Sequence, residues 1–480
     1  MPIVSAAMDL REVMGQGPSV EISHLAHDTR EVRGGSLFFC VAGFTHDGHD
    51  LAPEAVRRGA VALVVERPLG LGVPEVIVDD VRAAMAEVAA RFHGDPTRTL
   101  RVVGITGTNG KTTTAFLTRS ILEANGTRCG LIGTVKYVIG GQEGEAVRTS
   151  PEAVDLQRSF RAMLDAGDRA CAIEVSSHAL ELRRSEGIEW SCRVFTNLTQ
   201  DHLDFHKTME DYFLAKRRLF MDGDAPSVVN VDDPYGRRLA EQLQAISYGI
   251  EHEADYRALD VEFDASGARF RISSPVGEAD ARIGLPGLFN VSNALAAVAS
   301  CVQLGVSLPD AVAALAGAER VPGRLEPVDE GQDFAVLVDY AHTPDSLENV
   351  LRAARELTGG TLHVVFGAGG DRDRDKRPLM GAAAVQYADH VIVTSDNPRS
   401  EDPASIIEQI LAGTGEQAEH EVDRRKAIAT AIRSAAPGDV VVIAGKGHEQ
   451  GQEFENGRKE PFDDVTVARE ALRTRLGAAA

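Results

Sequence analysis

Residues 102–117 read VVGITGTNGKTTTAFL. An apolar run with strand character feeds a glycine-bearing turn, and the turn opens a helix. Backbone N–H groups at a helix N-terminus attract anions, and Gly107, Thr108, Asn109 and Gly110 let the chain wrap them around a polyphosphate. Lys111 adds a point charge, Thr112 a hydroxyl suited to Mg2+, and Thr113 continues the first helical turn. The pattern departs from G-x-x-x-x-G-K-[ST], because Ile105 stands where the first glycine would be. A strand, phosphate loop and helix in this order form the unit of a parallel α/β sheet. They fix nucleotide binding only; motor, switch, kinase and ligase all remain open.

Outward from this loop the chain falls into three blocks, in keeping with 480 residues and an ordinary domain size of roughly 100–200. Before it, short apolar runs such as SLFFCVAG, VALVVE and EVIVDD alternate with helical stretches and end at the breaker HGDPTRT. After it, ACAIEVSS, RVFTNL and APSVVNVD read as further strands, 251–285 as an antiparallel insertion, and NVSNALAAVASCVQLG as a long helix of small residues. GAERVPGRLEPV marks the last boundary. Beyond it FAVLVDYAH, TLHVVFGAGG, HVIVTSDNPR and DVVVIAGKGHE are four apolar strands, each ending in polar loop residues, as in open sheets whose ligands sit at the strand carboxyl ends.

A net charge of −22 disfavours sequence-independent binding to nucleic acid or anionic membrane, which requires a broad cationic surface. Any anionic ligand is therefore held by local cations and backbone donors. Five cysteines, none in a CxxC pair, suit reduced thiols in a cytoplasm. No basic leader or run of roughly 20 apolar residues is present, so a cytoplasmic enzyme is expected.

Three further stretches carry chemistry. Glu174 ends the strand ACAIE, where an acid beside the phosphate loop could hold a metal or simply face solvent. TNLTQDHLDFH sets Asn197, Asp201, His202, Asp204 and His206 in a loop ahead of Lys216 on a helix; the spacing matches no metal-ligand pattern, and Lys216 with Arg217 and Arg218 reads locally as a solvated face. TSDNPRSEDP, residues 394–403, places Arg399 among three acids, and its local reading is a solvated turn with Ser400 as the cap of a helix over PASIIEQIL.

Together GTNGKT, EVSSHAL, TNLTQDHLDFH, AKRRLF, NVSNALAA, VPGRLE and DYAHTPDSL resemble the Mur ligase family from about residue 100 to the end. AHDTREVRGGSLFFCVAGFTHDGHD resembles the branch that adds the third residue of the peptidoglycan stem peptide. The family's shorter GTxGKT loop accounts for the missing first glycine.

The resemblance implies an α/β, three-domain architecture: an N-terminal UDP-sugar-binding domain over 1–98, a central P-loop ATPase-type parallel-sheet domain over 99–321, and a C-terminal Rossmann-like, amino-acid-binding domain over 322–480. It implies an ATP-dependent, ADP-forming amide ligase working through an acyl phosphate in peptidoglycan synthesis, and hence in cell-wall biogenesis, cell shape and division. Lys111, Glu174, His202 and Lys216 are then catalytic. Thr112, Glu174, His202 and Lys216 as its carbamate serve Mg2+, and ATP is met by 107–113 with Asn290, Arg324 and Asp339. The nucleotide-sugar dipeptide is expected at His27, Thr29, Phe44, Thr45, His46, Thr149, Ser150, Ser176 and Arg184. Diaminopimelate is expected at Arg372, Asp396, Asn397, Pro398, Arg399, Gly445 and Glu449. Leu182 departs from relatives that carry glutamine there. The expected partners are these small molecules and neither nucleic acid nor membrane, with the chain acting as a monomer. The lysine-adding sister ligase and a non-catalytic nucleotide-binding regulator are the alternatives; folylpolyglutamate synthetase shares the fold but would not need the N-terminal block, and retention of Glu174, His202, Lys216 and Arg324 speaks against the regulator.

Overall fold

A computed structural model describes residues 7–43, 46–146, 148–264 and 267–479. The chain divides into two compact units: Met1–Thr106, Gly126–Arg193 and Ala215–Pro226 form one, and Gly107–Asn125, Val194–Leu214 and Ser227–Ala480 the other.

The first unit holds a parallel sheet of four strands, His24–Ala26, Ser36–Phe39, Ala60–Val65 and Glu75–Ile77 in that order. Its apolar runs are buried on both faces. Leu37, Phe39 and Val64 join a core with Val81, Met85 and Val88 of helix Val81–Phe92, while Phe38, Leu63 and Val65 pack with Ala52 and Ala55 of helix Gly48–Arg58. Asp47 and Asp80 cap these helices through the N–H groups of their first turns. The same unit holds strands Cys129–Ile132, Ala170–Glu174 and Arg101–Thr106, mutually parallel, with Glu174 in register with Ile105. The acid therefore emerges level with the end of the strand that feeds the phosphate loop.

In the second unit the helix Lys111–Ala124 packs on Leu288–Gln303, whose small buried residues allow close approach. The expected antiparallel insertion is present as Tyr256–Asp264, Gly267–Ser274 and Gly277–Ile283. A six-stranded sheet follows, ordered Glu326–Pro327, Ala335–Asp339, Val440–Ala444, Leu362–Phe366, His390–Thr394 and Glu419–Glu421, with only its first pair antiparallel. Alternate residues of its strands enter opposite cores: Leu337, Val364 and Phe366 one, Val336, Val338 and Val365 the other. Burial on both faces leaves only the strand ends open to ligand. Among the described residues no helix is long and apolar enough to cross a membrane.

Candidate active site

The phosphate loop is braced from its own unit. Gly110 is left-handed (φ 84°), and a Cβ there would collide with the Asn293 amide oxygen. The Thr108 N–H donates to Asn197 O (2.9 Å), and the Asn109 N–H to Asn197 Oδ1 (2.9 Å). Lys111 folds back, donating through Nζ to Gly107 O (2.9 Å) and Thr108 O (2.8 Å). Asn290 is buried, and its Oδ1 accepts from Asn293 Nδ2 (3.3 Å), so it reaches the loop through that neighbour. Arg324 donates through Nη2 to the Thr112 hydroxyl (3.2 Å), and its guanidinium lies 4.7 Å from the Tyr340 ring centroid. Asp339 caps the turn that presents this arginine, its carboxylate accepting from the Leu325 (2.7 Å) and Ala341 (2.8 Å) N–H groups. Burial raises the Asp339 carboxyl against the pull of Arg324.

His202 sits left-handed (φ 56°) one residue beyond Asp201, a buried acid that no local pattern marks as special. Asp201 accepts from Lys376 Nζ (3.2 Å), with His202 Nε2 at 3.4 Å and His342 Nε2 at 3.7 Å. Burial alone would raise its carboxyl; Lys376 and the two imidazoles hold it well below the usual range. Asp345 joins the phosphate loop from the helix Pro344–Glu356, accepting from Asn109 Nδ2 (2.8 Å). No local pattern marks Asp345 or Lys376, for their partners lie 236 and 175 residues away.

The other unit gathers a second set. Both Glu174 carboxylate oxygens accept from Thr134, one from its N–H (2.8 Å) and one from its hydroxyl (3.0 Å). The Thr134 hydroxyl also meets Thr149 Oγ1 (3.1 Å). Ser150 donates to Glu174 O (2.9 Å), its Oγ lies 3.3 Å from Ser176 Oγ, and Ser176 caps helix Ser177–Glu181. Arg184 donates to Ser150 O (3.2 Å), and with Arg82 and Arg148 it converges on the carboxylate of Glu152. Three cations around one acid leave surplus positive charge for an anionic ligand. Thr149, Ser150, Ser176 and Arg184 are thus brought together with Glu174. Lys216, on helix Met209–Arg217, is 1% exposed, so its expected place on a solvated face gives way to a buried one. His27 keeps a buried Nδ1 without a partner among the described residues, Thr29 is buried, and His46 is exposed. Phe44 and Thr45 lie outside the described residues.

At the carboxyl ends of the C-terminal sheet three loops meet. Gly369, in the loop after Leu362–Phe366, has room for no side chain without crowding: a Cβ would stand 2.9 Å from Arg399 Nη1 and 3.8 Å from Arg372 Cγ. Asp396, Asn397 and Pro398 are buried, and Arg399 adopts φ 51°. A Cβ on Gly445 (φ 118°) would collide with Asp396 Oδ2. Asn397 Nδ2 donates to Glu449 Oε2 (2.7 Å), and its Oδ1 accepts from the fully buried Lys446 Nζ (2.8 Å) and from the Glu453 N–H (2.9 Å). Two donors thus converge on that one oxygen. The local expectation of a Ser400 cap is also corrected. Ser400 bonds Asp371, and Asp402 caps the helix Pro403–Leu411 by accepting from the Ser405 N–H.

The chain is similar to known proteins along its length. Residues 21–93 match the model of the Mur ligase family, catalytic domain; 105–301 match the Mur ligase middle domain; and 323–447 match the Mur ligase, glutamate ligase domain. The chain belongs to the Mur ligase family. A relative from Geobacillus kaustophilus, named UDP-N-acetylmuramoyl-L-alanyl-D-glutamate–2,6-diaminopimelate ligase, is 49% identical over 472 residues, covering 96% of each chain. A solved structure of a ligase of that name is 34% identical, with TM-score 0.71 over 98% of this chain and 99% of its own. The MurF ligase of Thermotoga maritima in complex with ADP shares the fold at TM-score 0.66 and 19% identity, over 95% of this chain and 98% of its own. The three-domain Mur ligase architecture expected from the motifs is the one found.

Proposed function

We propose that this Mur ligase joins meso-diaminopimelate to UDP-N-acetylmuramoyl-L-alanyl-D-glutamate at the expense of ATP, in the cytoplasmic stage of peptidoglycan synthesis. The observation that carries the reading is Arg399, aimed into the loop cluster it shares with Arg372, Gly445 and Glu449, in a chain 49% identical to a ligase named for these substrates. We assign 1–98 to the nucleotide sugar, 99–321 to ATP and 322–480 to the incoming amino acid.

ATP phosphates are assigned to the N–H groups of 107–113 and to Lys111, whose ammonium turns from Gly107 O and Thr108 O to the ligand. Arg324, already at the Thr112 hydroxyl, adds a second cation. Thr149, Ser150, Ser176 and Arg184 orient the dipeptide, whose terminal carboxylate oxygen attacks the γ-phosphorus as ADP leaves. The acyl phosphate that results is an electrophile, as a carboxylate is not. The amino-acid nitrogen, having lost its proton, attacks the carbonyl carbon; a tetrahedral intermediate forms and collapses with loss of phosphate. Among the described residues no three His, Cys, Asp or Glu side chains gather as a metal site. The Thr112 hydroxyl and the Glu174 carboxylate are oxygen donors of the kind Mg2+ takes beside phosphate and water. Thr112, Glu174, His202 and a Lys216 carbamate would hold it, and it would neutralise charge on the transferring phosphoryl group. The carbamate would set an anion beside the metal, where an unmodified ammonium would repel it.

Incubation with both substrates and Mg-ATP is expected to release ADP and phosphate in step with tripeptide. AMP and pyrophosphate as the products would overturn the acyl-phosphate route.

A further inference from the structure

Arg399 is held before any amino acid arrives. Its N–H donates to Glu453 O (3.0 Å), its Nε to Glu453 Oε2 (2.9 Å) and its Nη1 to Gly370 O (2.7 Å). A guanidinium has five N–H groups. Two of these are spent, on Nε and Nη1, so three remain, among them both on Nη2. Glu453 lies on the strand Gly451–Glu453, hairpinned to Lys459–Pro461, and is itself tied to Asn397 through its N–H. The hairpin is therefore stitched to the DNPR loop at backbone and side chain alike.

This arrangement bears on selectivity. A long arginine side chain left to sample its rotamers loses freedom when it takes a ligand, and the cost is charged against that contact. Glu453 removes that freedom in advance and uses the Nε edge to do so, leaving the outer N–H groups for a carboxylate. Its negative charge works the other way, weakening the pull of Arg399 on an anion. Both side chains are part-exposed, 21% for Arg399 and 32% for Glu453, so solvent screens the repulsion, whereas the hydrogen bond acts directly on the guanidinium.

We infer that Glu453 is a positioning residue that sets selectivity for an amino acid bearing a carboxylate at its far end, acting through Arg399. The inference rests on the ligase reading above. Glu453→Ala frees the guanidinium; Glu453→Gln keeps an acceptor for Nε and drops the charge.

The test is kcat/KM for meso-diaminopimelate and for lysine on the full-length wild type and both variants, with KM for ATP measured alongside. Glu453→Ala is expected to lower the diaminopimelate-to-lysine ratio about tenfold, the worth of one such contact. The loss should appear in KM for diaminopimelate, with KM for ATP unmoved, and Glu453→Gln should recover most of the ratio. An unchanged ratio in Glu453→Ala, equal losses for both amino acids, or a Gln variant as impaired as Ala would each overturn the inference. A wild type that does not use diaminopimelate would instead remove the ligase reading on which it stands.

Discussion

The phosphate loop and the DNPR loop both present a cation to an anionic ligand, yet they are built in opposite ways. Lys111 takes its resting partners from its own turn, Gly107 O and Thr108 O, four and three residues away. Arg399 takes its partners from Gly370, 29 residues back, and from Glu453, 54 residues ahead. One cation is held within a single stretch of chain and the other is held from three. A phosphate needs little more than N–H groups and charge, which a glycine turn supplies locally. Choosing between two amino acids that differ by one carboxylate needs a guanidinium aimed in a fixed direction, and aiming requires neighbours.

The largest effect is expected where the side chain alone does not supply the chemistry. If Lys216 acts as its carbamate, Lys216→Ala should be nearly inactive with either amino acid, short carboxylic acids should restore part of the rate by replacing the lost anion, and Lys216→Arg should not help. Full activity in bicarbonate-depleted buffer, with no carbamate seen on the lysine, would contradict the assignment.

Next comes the cation held within its own turn. Lys111→Ala should cost at least about 3 kcal/mol in the barrier, roughly a hundredfold in kcat/KM. Because the phosphates are common to every turnover, diaminopimelate and lysine should suffer equally. A loss confined to one amino acid would break the contrast between the two loops.

The same contrast explains what could be read from the chain. The strand, turn and helix around residues 102–117 announce themselves because the hydrophobic period, the glycines and the lysine are contiguous. The sheets were legible for a similar reason: strands such as Val440–Ala444, buried on both faces, leave near-continuous apolar runs. Lys216 misread locally, since Arg217 and Arg218 beside it suggest a wet face while the helix turns Lys216 inward. Ser400 misread because two candidates, Ser400 and Asp402, precede the same helix, and Asp371, distant in sequence, claims the serine. Asp201 looked like one more loop acid until Lys376 closed on it, and Lys446 and Glu453 carried no motif of their own. What resisted reading was long-range pairing between polar residues, which leaves no period in the sequence.

The smallest of the three effects bears most directly on what this ligase selects. Arg399→Ala should lower kcat/KM for meso-diaminopimelate by about 10- to 150-fold, the value of a charge-assisted contact of roughly 1.5–3 kcal/mol, and Arg399→Lys should do little better. Lysine has no far carboxylate to lose and should be affected far less. Measuring kcat/KM for both amino acids on the wild type and Arg399→Ala is the decisive experiment. The account requires a wild type that favours diaminopimelate by at least a comparable factor and a variant in which that preference collapses; equal losses for the two amino acids, or a wild type that favours lysine, would contradict it.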